Sequence, residues 1–191
     1  MIGQYAQGAP FELPDHSQIQ VQLPENWKAA KGLFGLPIAF YGPDHAERSA
    51  KPTSTLSEDT GFNGSRTVVS VIPGVREEKL SALDPQIFKN QIELYQKEKR
   101  EEMATMGATL IEFLPNVQEV WSSVTGAKTA EMIVHRLGVK FSIGAAIYHD
   151  YSYHLVCNSR FYLIKVMYHD ENQVQDNKQV NELLRSFGCD S

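Results

Sequence analysis

The chain has 191 residues, 42% of them hydrophobic and 21% charged, proportions of one globular domain with a sizeable core. A formal net charge of −5 argues against a nucleic-acid binder, which carries a basic face. No apolar run approaches the roughly 20 residues that a helical membrane span requires.

The opening MIGQYAQGAP has neither a charged n-region nor an apolar h-region, so it does not read as a signal peptide. On that reading the protein is cytosolic, or a signal has already been removed. Residues 1–17 are polar and Pro-containing, the pattern of a loose lead-in to a single domain over 18–191. Ile19-Gln20-Val21-Gln22-Leu23 alternates at period two, a half-buried strand ended by Pro24. Trp27, just past that end, is expected to plug the edge of the core. Leu36 to Tyr41 is a second apolar run, stopped by Gly42-Pro43.

Asp44 to Gly64 is small, polar and broken, and reads as a long surface loop. Asn63-Gly64 then turns the chain into the β-branched run Arg66 to Ile72, a strand that Pro73-Gly74 should close. Asp84 as N-cap and Pro85 at the first position open the main helix, which Gly107 stops. Phe88, Ile92, Tyr95, Met103 and Met106 form its apolar stripe, with Lys99 in the remaining place. The methionines are expected to fill core. Lys97, Lys99 and Arg100 alternate with Glu98, Glu101 and Glu102, as on a solvated helix face.

Val117 to Val124 and Glu131 to Leu137 are two further strands joined across Thr125-Gly126-Ala127. Phe141 to Tyr168 is the strongest sheet signal in the chain: two Tyr-, Val-, Ile- and Phe-rich runs flanking Asn158-Ser159-Arg160. With those three residues as the loop, Cys157 faces Phe161, Tyr153 faces Lys165 and Tyr151 faces Met167. His169 to Lys178 reads as a polar tail. Asp176 and Gln179 have capping-box spacing, and Val180, Leu183, Leu184 and Phe187 give a short amphipathic helix ended by Gly188. Strands in a block with helices at two separate places imply an α+β fold on a mostly antiparallel sheet.

The segment IQVQLPENW, together with the closing hairpin and the helix ending LLRSF, resembles the PsbP-like families. That resemblance implies an α/β/α sandwich with a twisted antiparallel sheet. The group includes the PsbP extrinsic subunits of photosystem II, a Ran-binding nuclear-import factor, bacterial envelope lipoproteins and chaperones of type VI secretion effectors. Its members are generally non-catalytic, so the resemblance implies no catalytic residue and no cofactor. It places Trp27 and Phe187 as structural residues. The length, the broken 44–64 stretch and the two cysteines depart from the small chaperones and favour an envelope protein.

Chemistry motifs are few. GxSxG, HExxH and P-loop patterns are absent. Cys157 and His154, at i and i+3 of one strand, point to opposite faces and cannot form a nucleophile–base pair. Tyr148-His149-Asp150 and Tyr168-His169-Asp170 repeat one tripeptide, and the expected register sets His149 opposite His169. Such a pair is a candidate for zinc or copper, set against two solvated strand ends, since metal sites need three or four ligands. Cys157 at the hairpin tip and Cys189 after the terminal helix are within reach if that helix lies back across the sheet. A bridge would close a loop of about 32 residues, worth on the order of 3–4 kcal/mol. The alternative is two separate thiols in a reducing cytosol.

Three functions follow. The first is a non-enzymatic accessory protein of the cell envelope, periplasmic or secreted, that binds a protein partner and neither nucleic acid nor a membrane span. The second is a cytosolic chaperone or adaptor for a secreted effector. The third, least supported, is a metal-dependent enzyme.

Overall fold

The computed structural model describes residues 9–32, 36–43, 66–77, 85–125 and 128–189. The elements in order are β1 (Ala9–Glu12), β2 (Gln18–Val21), β3 (Lys28–Lys31), β4 (Ile38–Tyr41), β5 (Val68–Arg76) and α1 (Pro85–Thr105). They continue with β6 (Thr109–Thr125), β7 (Lys128–Ile143), β8 (Ala146–Cys157), β9 (Arg160–His169), α2 (Asp170–Arg185) and β10 (Gly188–Cys189). Two antiparallel sheets result among the described residues. A seven-stranded sheet runs β3-β4-β5-β9-β8-β7-β6, and a three-stranded one runs β1-β2-β10. The architecture is the expected α+β sandwich.

Alternation along the strands divides the large sheet into two faces. One presents Phe40, Val69, Val71, Val134, Tyr153, Leu155, Tyr162, Ile164, Val166 and Tyr168, all buried. α2 covers it with Val180, Leu183 and Leu184, followed by Phe187, and the small sheet adds Ile19 and Val21, with Leu13 from the β1–β2 turn, to the same core. The other face lies beneath α1.

Several sequence expectations change. Ala9–Glu12 belongs to the fold, because it pairs with β2 from Ala9↔Val21 to Glu12↔Gln18, so the lead-in over 1–17 is not loose throughout. β5 continues through Pro73, opposite Tyr162, and breaks register only between Pro73 and Arg76, where a bulge tolerates proline. β6 begins directly after Gly107, whose φ of +66° lets Ala108 N–H reach back to the Met103 carbonyl and end α1. Met103 is buried, but Met106 sits in the turn beyond the helix and is 46% exposed. Met106 therefore fills no core.

α2 starts at Asp170, six residues before the expected cap, with Asp170 and Glu171 favouring its N-terminal end. Asp176 is no cap. It is fully buried in the helix interior and accepts a hydrogen bond from the Thr67 hydroxyl. Trp27 is buried in the core as expected, its indole N–H donating to Gln179 at 3.0 Å. The Asp84 cap and the 44–64 loop lie outside the described residues.

The central hairpin differs by one residue. Asn158 and Ser159 both have positive φ, +52° and +59°, the signature of a two-residue turn whose twist matches the strands. Arg160 thus pairs with Cys157, Ile164 with Tyr153 and Val166 with Tyr151.

Candidate functional site

The one-residue difference separates the histidines. His149 opposes Tyr168, and His169 opposes Tyr148, so the two imidazoles point to opposite faces of the sheet. The expected His149–His169 metal pair is not formed. His149 is buried and bonds through Nε2 to Asp170 Oδ1 at 2.6 Å. That hydrogen bond, helped by Lys140 at 3.5 Å, holds the Asp170 carboxyl below the usual carboxylate range. His169 stands at the N-cap of α2 with its ring edge against Tyr148, centroids 5.2 Å apart. Among the described residues no group of three or more His, Cys, Asp or Glu side chains is arranged to hold a metal ion.

The cysteines do meet. Cys157 ends β8 and Cys189 ends β10, with Cα atoms 6.2 Å apart, and they form a disulfide. Because β10 pairs with β2 through Gly188↔Gln20 and Cys189↔Ile19, the bridge ties the small sheet to the tip of the central hairpin. It also removes Cys157 as a nucleophile.

Beside the bridge lies a cleft of about 300 Å³ lined by His16, Ser17, Gln18, Arg76, Asn158, Arg160 and Tyr162. Three chain segments converge there: the β1–β2 turn, the bulged end of β5 and the β8–β9 turn. Arg160 locks them together. Its Nε donates to the Gly74 carbonyl at 3.2 Å, and its Nη1 donates to Ser17 Oγ at 2.7 Å and pairs with Asp15. The Ser17 hydroxyl and Arg160 hold the Asp15 carboxyl low. Gly74 must be glycine, since a Cβ there would meet the Phe161 ring at 2.6 Å. A further tie joins Glu77 N–H to the Ser159 carbonyl at 2.9 Å.

A second polar concentration sits under α1. Lys99 is 4% exposed, against the expectation of a solvated face, and its ammonium donates to Asp150 at 2.6 Å and Glu102 at 2.7 Å. Burial alone would lower the Lys99 pKa, but Asp150 and Glu102 hold it above the ordinary lysine value. Burial, with Asp150 nearby, pushes the Tyr95 phenol up. His135 and His154 face each other across β7 and β8 beneath Phe88, whose ring centre lies 4.1 Å and 5.9 Å from theirs. Both ring nitrogens of His154 are buried without a hydrogen-bond partner among the described residues. Burial and the neighbouring His135 depress the His154 pKa to about 4.

Sequence reading missed both places. Lys99 carried a signal, being the one charged residue on an otherwise apolar stripe. The cleft carried none, because its wall comes from residues near 16, 76 and 160.

No protein-family model matches the chain, and no curated protein sequence matches it. Solved structures do resemble it. The solution structure of the cyanobacterial PsbP (CyanoP) of Synechocystis sp. PCC 6803 is 12% identical, with TM-score 0.50, covering 98% of this chain and 95% of that one. LpqN, involved in cell envelope biogenesis of Mycobacterium tuberculosis, is 11% identical with TM-score 0.47, covering 95% and 89%. A protein of Bacteroides thetaiotaomicron VPI-5482 is 12% identical with TM-score 0.45, covering 96% of this chain and 49% of that one. The resemblance to PsbP in the sequence is therefore a likeness of the whole fold: this chain has a PsbP-like fold.

Proposed function

We propose that the protein is a non-enzymatic accessory protein of an oxidising, extracytoplasmic compartment and acts by binding another protein. The observation that carries this reading is the Cys157–Cys189 disulfide, since such bridges persist outside reducing cytosol. It joins the two sheets and both its cysteines are buried, so it belongs to the folded core rather than to an incidental surface contact. The PsbP-like fold supports the accessory half, because members of the families it resembles are generally non-catalytic. The side-chain chemistry agrees. Cys157 is committed to the bridge, and His154 lies on the opposite face of β8.

Intact mass after alkylation without reductant, on protein freshly isolated from its native source, tests the compartment. No alkylation is expected; two alkylated thiols would overturn the extracytoplasmic reading. Affinity purification from the same source should return a stoichiometric protein partner. Hydrolytic or redox turnover lost on His149→Ala or His154→Ala would overturn the accessory reading.

A further inference from the structure

We propose that the cleft beside the disulfide is a binding site for a small oxyanion, a phosphate or a carboxylate group. The first reason is charge. Arg76 and Arg160 are direct partners across β5 and β9, and like charges in that relation destabilise a sheet. Asp15 answers Arg160, and the His16 ring is engaged by Glu12 at 2.7 Å. Arg76 makes no ion pair among the described residues, so the cleft keeps an uncompensated cation at its rim.

The second reason is preorganisation. Arg160 is fixed by the Gly74 carbonyl, the Ser17 hydroxyl and Asp15, and its guanidinium stacks over the Tyr162 ring at 5.8 Å. A guanidinium held this way loses little freedom on meeting a ligand; its Nε and Nη1 are engaged within the protein, and among the described residues Nη2 is the group left to donate. Burial pushes the Tyr162 phenol up, so it remains a neutral hydroxyl at physiological pH. Gln18 adds a neutral polar group to the wall, while the Ser17 hydroxyl donates to Asp15 and accepts from Arg160. The disulfide stands behind all of this, holding β2, and with it Gln18, against the hairpin tip.

The third reason is size. A volume of about 300 Å³ is at the lower end of ligand pockets and suits a phosphate-bearing or di- or tricarboxylate molecule. The site is independent of the protein partner proposed above, and it stands or falls separately.

Calorimetric titration of the oxidised full chain with inorganic phosphate and, separately, with citrate tests it. Sodium chloride keeps ionic strength constant in every arm. Saturable binding of at least one anion in the millimolar range or tighter is expected, and the stronger of the two identifies the preferred chemistry. Arg76→Gln should weaken it roughly tenfold. Arg76→Lys, which keeps the charge and loses the fork, should fall between. Arg76 is exposed, so without ligand Arg76→Lys should melt as the wild type does and Arg76→Gln, which removes the like-charge pair with Arg160, no lower. Equal binding by wild type and Arg76→Gln would overturn the proposal, as would heat no greater than that of sodium chloride.

Discussion

The two faces of the large sheet are built on opposite principles. Under α2 most of the contact is hydrocarbon and aromatic ring, Val180, Leu183, Leu184 and Phe187 against Tyr153, Leu155, Tyr162, Ile164 and Val166, with the hydrogen-bonded pair Thr67 and Asp176 buried among them. Under α1 the central contact is polar. Lys99 and Tyr95 meet Asp150 and Ser152, Phe88 covers His135 and His154, and apolar packing is concentrated at the C-terminal end, around Met103, Val139, Phe141 and Tyr148. Burial of apolar area stabilises without regard to direction. Buried polar groups stabilise only when each donor and acceptor is met, and among the described residues Gln91 Oε1 and both His154 nitrogens find no partner. α2 therefore supplies stability. α1 is held at its centre by position-specific bonds, from Lys99 to Asp150 and Glu102.

The largest test removes the apolar side. A chain ending at Asn177 loses Val180, Leu183, Leu184, Phe187 and Cys189, each large side chain worth roughly 1.5–3 kcal/mol of burial. It should not fold to a soluble monomer, as circular dichroism and size-exclusion would report. Native-like melting of that chain would mean α2 is an appendage and would dissolve the comparison.

Next in size is the ion pair. Lys99→Met leaves Asp150 buried with Lys165 at 3.9 Å as its remaining cation and should cost about 3–5 kcal/mol. The double change Lys99→Met with Asp150→Leu should recover most of that loss, because a packed apolar pair avoids the desolvation of two charges. Denaturant melts of both variants decide it. A double variant as unstable as the single would show that the pair contributes net stability, making α1 the equal of α2.

Acid should act on the α1 side first. With a pKa of about 4 in the fold, His154 binds its proton more readily when unfolded. Its contribution is present above pH ~6.5 and is lost as pH falls from there toward about 4, on the order of 2–3 kcal/mol. Asp170, held low by His149 and Lys140, loses its contribution only at still lower pH, as it protonates. Stability measured between pH 7 and 4 should thus slope downward, and His154→Leu should flatten the slope while raising stability at pH 5. An unchanged slope in that variant would place the acid sensitivity elsewhere.

Sequence alone was enough for what depends on near neighbours. A period-two run marked β2, apolar, β-branched and aromatic runs marked β4, β5, β8 and β9, and the Val180-Leu183-Leu184-Phe187 stripe marked the buried face of α2. The Cys157–Cys189 bridge was also legible, because a helix that must bury that stripe has to lie back along the sheet. Tertiary structure decided whatever hangs on one dihedral angle or on distant partners. Positive φ at both Asn158 and Ser159 shortened the turn by one residue and sent His149 and His169 to opposite faces. Lys99 became a buried cation only because Asp150, 51 residues away, meets it under α1. The cleft exists only where residues near 16, 76 and 160 close on one another, since periodicity reports which way a side chain faces and not which distant residue it will face.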